Sequence, residues 1–252
     1  MSDQKTAAIL AIGDELLSGR TRDANIHYLG GWLTDRGVAF GEARIVGDDI
    51  GDIGIALNAL RRKYDYVFTS GGIGPTHDDI TVDAIASALG VKVIEHPRAV
   101  AMIRSYYKER GIEMTPARLR MARTPEGAQL IENPASGAPG VRIENIFVMA
   151  GVPRIFQAML NAIGSEIERG AVIHSRAVTA LKLPESMLAE QLREIQGALK
   201  GVTLGSYPID GDVKGVTIVA RSKDESLAIS AIDAVCAAMR ALGVEPKRED
   251  RR

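Results

Sequence analysis

The sequence predicts a doubly wound α/β domain with a mostly parallel sheet, followed by a smaller α+β domain. Over residues 5–168, short β-branched runs alternate with longer segments of helical period, which is the pattern of a parallel sheet covered by helices. After Gly170 this alternation stops, because two strands follow each other without a helix between them. We therefore assign residues 1–170 to the first domain and residues 171–252 to the second.

Hydrophobic period and end signals define the first elements. The apolar run at 7–13 is the first strand. Asp23 is placed to cap the helix that follows, and Gly37 is placed to end it. A strand at 38–46 then precedes a helix at 50–63, whose basic last turn suits the negative end of the helix dipole.

The strand at 64–72 runs into a glycine-rich loop, and the helix after that loop has Gly90 at its C-cap position. A proline in the first turn marks the start of three later helices. In chain order, the remaining elements of this domain are a strand at 91–96, a helix from Pro97 to Gly111, a short helix from Thr115, a loop at 132–140, a strand at 145–151 and a closing helix from Pro153.

The second domain has the predicted order βαββα. Its strands are expected at 176–182, 202–208 and 213–221, with one helix at 184–199 and another after the last strand. The tail KREDRR, residues 247–252, carries mixed charge and is expected to be a solvated, frayed end.

Composition argues against several functional classes. The 31 Lys and Arg against 32 Asp and Glu give a net charge of −1, which does not favour nucleic-acid binding driven by bulk charge. The single cysteine excludes an internal disulfide, and Cys236 lies in an Ala-rich apolar stretch where burial is expected. The amino terminus shows no signal peptide, and no apolar window is long enough to span a bilayer. We therefore expect a cytoplasmic protein that binds neither nucleic acid nor membrane.

The segment TSGGIGPTHDDITVDA, residues 69–84, is the most informative motif. Gly71, Gly72 and Gly74 lie between a strand and a helix N-terminus, an arrangement that lets backbone amides approach a phosphate closely. Two adjacent carboxylates, Asp78 and Asp79, would repel that phosphate unless a divalent cation stood between them. The local pattern supports a structural interpretation equally well, in which one aspartate caps the helix and the glycines only permit a tight turn.

Two further segments follow or flank predicted strands. The segment 13–25 comes directly after the first strand, and the turns GAPG (137–140) and AGVP (150–153) flank the last one. Each alone is typical of ordinary turns and caps. Because ligands of α/β domains bind at the carboxyl edge of the sheet, two acidic loops at that edge suggest a site more strongly than one does. The polar residues of the first segment are Asp14, Glu15, Ser18, Asp23 and Asn25.

Taken together and in order, GDELLSG with DAN after it, TSGGIGPTHDDIT, GAPG and GVP resemble the CinA family (competence/damage-inducible protein A). The first domain of that family resembles the molybdopterin-binding MoaB/Mog fold, and the resemblance covers the chain to about residue 168. After residue 170, LPESMLAEQL and LGSYP resemble the small KH-like middle domain of the same family.

The resemblance implies a domain that binds a nucleotide or pterin phosphate and hydrolyses the pyrophosphate bond of ADP-ribose or FAD. It also implies a divalent metal (Mg²⁺, Mn²⁺ or Co²⁺) and a homo-oligomer, either a dimer or a trimer. On the matching positions, Asp78 and Asp79 are the expected catalytic and metal-binding residues. The expected substrate- and phosphate-binding residues are Gly71, Gly72, Gly74, Thr76, Thr81, Asp14, Glu15, Asp23, Asn25, Gly137, Gly140 and Gly151.

The chain departs from the family pattern at MAGVPRIF, where Ala150 replaces the usual proline before Gly151 and Arg154 replaces the usual glutamate after Pro153. If that glutamate is catalytic in the family, this chain lacks the catalytic group. Arg154 at the same position is placed to contact phosphate instead. The family's third domain, an amidase acting on nicotinamide mononucleotide, has no room before Arg252, so no deamidase activity is expected.

Two alternatives to a hydrolase remain. One is a non-catalytic or transferase protein of molybdenum cofactor metabolism that binds a pterin phosphate in the same pocket. The other, RNA binding by the KH-like domain, is the weaker, because KH domains clamp RNA with a GXXG loop between helices. Here GDVKG (211–215) lies between two predicted strands.

Overall fold

The computed structural model describes residues 4–249 and contains two compact units, one ending at Gly170 and the other beginning at Ala171. The strands of the first unit are β1 (Thr6–Ile12), β2 (Ala39–Val46), β3 (Tyr66–Ser70), β4 (Val93–Glu95), β5 (Arg123–Pro125), β6 (Gln129–Ile131), β7 (Gly140–Ile143) and β8 (Ile146–Met149). Its helices are α1 (Asp14–Leu17), α2 (Asn25–Thr34), α3 (Ile50–Lys63), α4 (Thr81–Leu89), α5 (Pro97–Glu109), α6 (Pro116–Arg120) and α7 (Pro153–Ala162).

Six strands of the first unit form one sheet in the order β2-β1-β3-β8-β7-β6. The first four are parallel, and β6 and β7 are attached to them as antiparallel neighbours. The prediction of a doubly wound, mostly parallel sheet is therefore confirmed. The order of strands along the sheet reverses between β1 and β3, and ligands of such sheets bind at the carboxyl ends of the strands at this switch point.

Helices cover both faces of this sheet. On one face, α2 and α7 pack on Phe68 and Phe147, whose rings stack with their centroids 5.3 Å apart, and Trp32 meets Phe68 edge to face. On the other face, α3 and α4 bury Leu57 and Ile85. Because the central strands are buried on both faces, they have continuous apolar sequences, which is why the sequence predicts them well.

The structure corrects the sequence-based assignment in three places. The strand predicted at 91–96 does not join the main sheet, because β4 pairs only with β5 as a separate two-stranded ribbon. The sequence does not predict the strands β5, β6 and β7. Gly140, which was assigned to a loop, is the first residue of β7. These strands have three or four residues each, too few to show a period.

The second unit has the order βαββαβ, which is the split βαβ motif. Its elements are β9 (His174–Leu181), a 3₁₀ turn (Glu185–Leu188), α8 (Ala189–Ala198), β10 (Val202–Ile209), β11 (Gly215–Ser222), α9 (Glu225–Ala241) and β12 (Lys247–Glu249). They form an antiparallel sheet in the order β10-β11-β9-β12 with the helices packed on one face. Cys236 is buried in this core, as predicted.

The prediction of a frayed tail is wrong for residues 247–249. They form β12, which pairs with β9, and the Thr179 hydroxyl donates to Glu249 Oε1 at 2.5 Å. Arg248 also forms an ion pair with Asp233 on α9. Residues 250–252 of the predicted tail lie outside the described residues.

Within residues 4–249, the helices are all too short or too polar to cross a membrane.

Candidate functional site

The loops that leave the carboxyl ends of β1, β3 and β8 surround a cleft of about 590 Å³. The cleft therefore lies at the switch point of the sheet. The loops after the three strands contribute Glu15 and Thr21, then Gly71, Gly72, Ile73, Gly74, Pro75 and Asp79, then Ala150, Gly151, Val152 and Pro153. The remaining lining residues are Tyr107, Met121, Asn133, Ser136, Ala138, Ile155 and Met159.

The glycine-rich loop after β3 has a backbone that requires glycine at two positions. Gly71 and Gly72 have φ angles of 111° and 66°, in the region that L side chains rarely adopt. A Cβ atom on Gly71 would collide with the carbonyl oxygen of Ile12, and one on Gly72 would collide with the Thr81 hydroxyl. These glycines therefore bring the loop close to β1 and to the start of α4.

Asp79 closes this loop with its carboxylate. Its Oδ1 atom accepts a hydrogen bond from the Gly74 amide at 2.6 Å, and its Oδ2 atom accepts from the Thr76 amide at 2.7 Å and from the Thr76 hydroxyl at 2.5 Å. Helix α4 begins at Thr81 without a side-chain cap. These contacts fix the shape of the loop. This role differs from the two that were predicted for Asp79, helix cap and metal ligand.

The neighbouring Asp78 does not line the cleft, and its side chain is 63% exposed. His77 is solvated, with its side chain 99% exposed. The metal-binding and catalytic roles of Asp78 and Asp79 stay predictions.

Buried polar residues join the three loops behind the cleft. The Asn25 side-chain amide donates to the Ser70 hydroxyl and to the Gly151 carbonyl oxygen, each at 2.7 Å, and so connects all three strand ends. The Thr81 hydroxyl donates to the Gly71 carbonyl oxygen at 3.0 Å, which ties the start of α4 to the loop after β3. Both Asn25 and Thr81 are buried. They position the loops and do not line the cleft themselves.

The acidic residues after β1 separate into three roles. The Asp14 carboxylate accepts from the Asp48 amide at 3.2 Å and faces the turn after β2. The Asp23 carboxylate accepts from the Ile26 amide at 2.7 Å, which confirms its predicted capping role. Glu15 alone lines the cleft, with its carboxylate folded over the Cα atom of Gly13 at the end of β1.

The predicted glycines around the last strands also differ in role. Gly151 lines the cleft. Gly137 and Gly140 do not: a Cβ atom on Gly137 would collide with the Tyr106 ring, and one on Gly140 would lie 2.6 Å from the Val148 carbonyl oxygen. The glycine requirement at Gly140 comes from packing, and Gly137 in addition has a left-handed backbone with φ of 73°.

Sequence reasoning missed Asn133 and Ser136, which line the cleft. The Asn133 side-chain amide donates to the Ser136 hydroxyl oxygen at 2.6 Å and to the Ala138 carbonyl oxygen at 2.8 Å. Its carbonyl oxygen accepts from the Ala135 amide at 3.1 Å. Since the Ser136 oxygen is an acceptor here, its own proton is available to a ligand. The sequence signal that identifies this pair is an Asn three residues before a Ser in a Gly- and Pro-rich loop.

Within residues 4–249, the side chains that line the cleft are acidic, polar or apolar, and none is cationic. Among its lining residues in the described chain, Glu15 and Asp79 are the ionisable acids, and Lys, Arg and His are absent. Arg120 lies beside it but donates to the Asp79 carbonyl oxygen at 3.3 Å and faces Asp83 at 3.9 Å. Arg154, predicted to contact phosphate, is exposed and does not line the cleft. Residues 4–249 contain no group of three or more His, Cys, Asp or Glu side chains arranged to hold a metal.

Comparison with known proteins places the first unit in a family. Residues 8–169 match the family described as "Probable molybdopterin binding domain". A CinA-like protein of Gloeobacter violaceus is 34% identical over 249 residues. The crystal structure of the protein CinA from Thermoplasma acidophilum superposes with a TM-score of 0.60 at 35% identity, covering 66% of this chain and 99% of that one. This chain is a member of the CinA family with a molybdopterin-binding domain.

The extent of these matches differs between relatives. This CinA-family chain covers 58% of the length of the Gloeobacter protein, but 82% of an Aeropyrum pernix protein that is 33% identical over 221 residues. Its second unit matches another family, described as "FAD synthase, middle domain", over residues 173–247.

Proposed function

We propose that this CinA-family protein hydrolyses nucleotide pyrophosphates of the ADP-ribose or FAD type in the cleft between β1, β3 and β8. The observation that carries the proposal is that the Glu15 carboxylate and the glycine-rich loop 71–74 line the same cleft. A loop of this kind before a helix N-terminus suits a phosphate, and Glu15 lies on α1, directly after the neighbouring strand β1.

Charge balance supports a divalent cation as cofactor. A pyrophosphate is an anion, and the described residues that line the cleft offer it two carboxylates and no cationic side chain. Mg²⁺ is commonly held by one or two carboxylates together with oxygen atoms of the substrate's phosphates, so the absence of a complete protein cage among residues 4–249 fits such a cation. Glu15 would hold it, with Asp79 as the second carboxylate. When bound, the cation would neutralise the bridging phosphates and polarise the phosphoryl group.

The chain's own residues bind and orient the substrate. The amides of Gly71 and Gly74 already donate to the Met149 carbonyl oxygen and to the Asp79 carboxylate, so the Gly72 and Ile73 amides, together with the positive end of α4, would meet the phosphate. Apolar side chains, among them Tyr107, Met121 and Ile155, line the rest and suit a flat heterocycle. Ser136, whose oxygen already accepts from Asn133, would donate its proton to an acceptor atom on that ring.

The test is chromatographic detection of AMP released from ADP-ribose and from FAD, with Mg²⁺, Mn²⁺ or Co²⁺ and with EDTA as control. Glu15→Gln keeps the size of the side chain and removes its charge, so it should lower turnover at least about a hundredfold. Asp35→Asn, an exposed carboxylate at the end of α2, is the matched control and should leave turnover unchanged. Equal turnover in Glu15→Gln and wild type would refute the assignment.

A second function, binding of a pterin or nucleotide phosphate without hydrolysis, has a specific observation in its favour. Both oxygens of Asp79 already accept hydrogen bonds from the loop, which leaves Glu15 as the freer carboxylate. Calorimetry with molybdopterin and with AMP separates the two functions. Binding without AMP release under any metal would favour the binding protein, whereas metal-dependent release would exclude it.

A further inference from the structure

A groove of about 430 Å³ lies on the face of the second unit's sheet that is turned away from α8 and α9. Successive residues of a strand alternate between the two faces, and Ile218 of β11 belongs to the core beneath the helices. Thr217 and Arg221 of the same strand therefore lie on the opposite face. With Tyr207 of β10 and Ser175 of β9, they are the polar residues of this groove.

The Tyr207 ring lies over the backbone of β10, because the residue two positions before it is a glycine. A Cβ atom on Gly205 would lie 3.0 Å from both the ring and the hydroxyl oxygen of Tyr207. The Tyr207 side chain is 46% exposed, so a large part of its ring is open to a ligand. Exposed aromatic rings on a sheet are surfaces on which nucleotide bases stack.

Arg221 supplies a positive charge beside this ring. Its Nη2 atom donates to the Tyr207 hydroxyl oxygen at 3.0 Å. Arg221 is exposed and forms no ion pair within residues 4–249, whereas Arg176 of the neighbouring strand β9 pairs with Glu225. The Arg221 guanidinium is therefore available to an external anion, and its planar array of donors suits a phosphate.

A chain of hydroxyl groups leaves a hydrogen-bond acceptor on the other side of the ring. The Thr179 hydroxyl donates its one proton to Glu249 Oε1 at 2.5 Å, and its oxygen lies 2.6 Å from the Thr217 hydroxyl oxygen. Thr217 must therefore be the donor in that contact, which leaves its own oxygen free to accept a hydrogen bond. Thr217 is paired with Tyr207 across β11 and β10, so this acceptor lies beside the ring.

We propose that this groove binds a nucleotide whose base carries an amino group, with AMP as its simplest form. The base stacks on Tyr207, its amino group donates to Thr217, and its phosphate binds Arg221. Thr217 and Arg221 are four residues apart on β11, about 13 Å, which a nucleotide and the flexible arginine side chain span together.

The charge of the groove favours a single nucleotide over a nucleic-acid strand. Arg221 is the one cationic side chain among the described residues that line it. Proteins that bind single strands follow the backbone with a groove that is positive along its length. None of the lining residues belongs to the cleft of the first unit, so this site does not depend on the hydrolysis proposed there.

Titration of the isotope-labelled full chain with AMP, followed by nuclear magnetic resonance of the backbone amides, tests this proposal because each signal reports its own location. AMP should shift the Gly205 and Val219 amides, whether or not it also binds in the first unit. Tyr207→Leu should raise the dissociation constant measured at these amides by about tenfold or more, through the loss of stacking. Arg193→Gln, an exposed arginine on α8, is the matched control and should bind AMP as wild type does.

Two further comparisons separate the phosphate from the base. Arg221→Gln should weaken the binding of AMP about tenfold and leave the affinity for adenosine unchanged, because adenosine has no phosphate. IMP carries a carbonyl oxygen in place of the amino group of AMP. It should therefore bind wild type more weakly than AMP does, and Thr217→Val should remove that difference.

Circular dichroism shows whether each variant is folded. The proposal would be overturned by a wild type whose Gly205 and Val219 amides do not shift at millimolar AMP. Wild-type affinity in folded Tyr207→Leu or in folded Arg221→Gln would overturn it as well. So would oligoadenylate that binds at these amides at least about a hundredfold more tightly than AMP, since that result would identify a nucleic-acid surface.

Discussion

The role assigned to Asp79 predicts a specific loss of stability in Asp79→Ala. The substitution removes the acceptors of the Gly74 amide, the Thr76 amide and the Thr76 hydroxyl, which lie 2.6, 2.7 and 2.5 Å from the carboxylate. A hydrogen bond in an exposed loop contributes about 1 kcal/mol, so three of them give about 2–3 kcal/mol. For a protein of this size that corresponds to a fall in Tm of roughly 5–10 °C.

Thermal unfolding by calorimetry measures this loss, and hydrogen exchange at the Gly74 and Thr76 amides locates it. Asp78→Asn is the matched control, since Asp78 is exposed and should cost no more than about 0.5 kcal/mol. Faster exchange at both amides is expected in Asp79→Ala alone. An Asp79→Ala variant as stable as wild type, or equal losses in the two variants, would show that these three hydrogen bonds do not stabilise the loop.

Three further substitutions test other parts of the structure. Hydrogen bonds from Lys63, Arg44 and Tyr64 lower the pKa of Glu42 from 4.5 to about 2. The ionised Glu42 should therefore stabilise the fold above pH 4.5, and this stabilisation should be lost as the pH falls towards 2. Unfolding measured as a function of pH should show this loss in wild type and not in Glu42→Gln. Gly72→Ala forces a Cβ atom against the Thr81 hydroxyl, and calorimetry should show weaker AMP binding. Phe68→Ala removes a fully buried ring and should cost about 3–5 kcal/mol in denaturant unfolding.

Local signals explain why much of the fold could be predicted from the sequence. Helix α3 has the predicted bounds because Asp49 caps its start and three basic residues end it. Gly90 has a left-handed conformation with φ of 69°, as its C-cap position requires. Thr115 accepts a hydrogen bond from the Arg118 amide, as expected of the cap of a helix with proline in its first turn.

Features that depend on distant contacts could not be predicted. The short strand β12 forms because β9 lies beside it, and nothing in the charged sequence of β12 indicates that partner. The adjacent residues Asp78 and Asp79 are chemically identical in the sequence. Only the path of the folded loop turns Asp79 towards its amides and leaves Asp78 in solvent.

The candidate site illustrates the same limit. The motifs predict which loops meet, and Glu15, Gly71, Gly72, Gly74, Asp79 and Gly151 do line one cleft. They do not distinguish residues that face a ligand from residues that hold the loops in place. Asn25 belongs to the second group because its amide is used by Ser70 and Gly151.

The most direct test of the proposed function is the release of AMP from ADP-ribose by wild type and by Glu15→Gln, each assayed with Mn²⁺ and with EDTA. We expect metal-dependent release by wild type, no release with EDTA, and a loss of at least about a hundredfold in Glu15→Gln. Release that persists in EDTA, or that is equal in the two proteins, would contradict it.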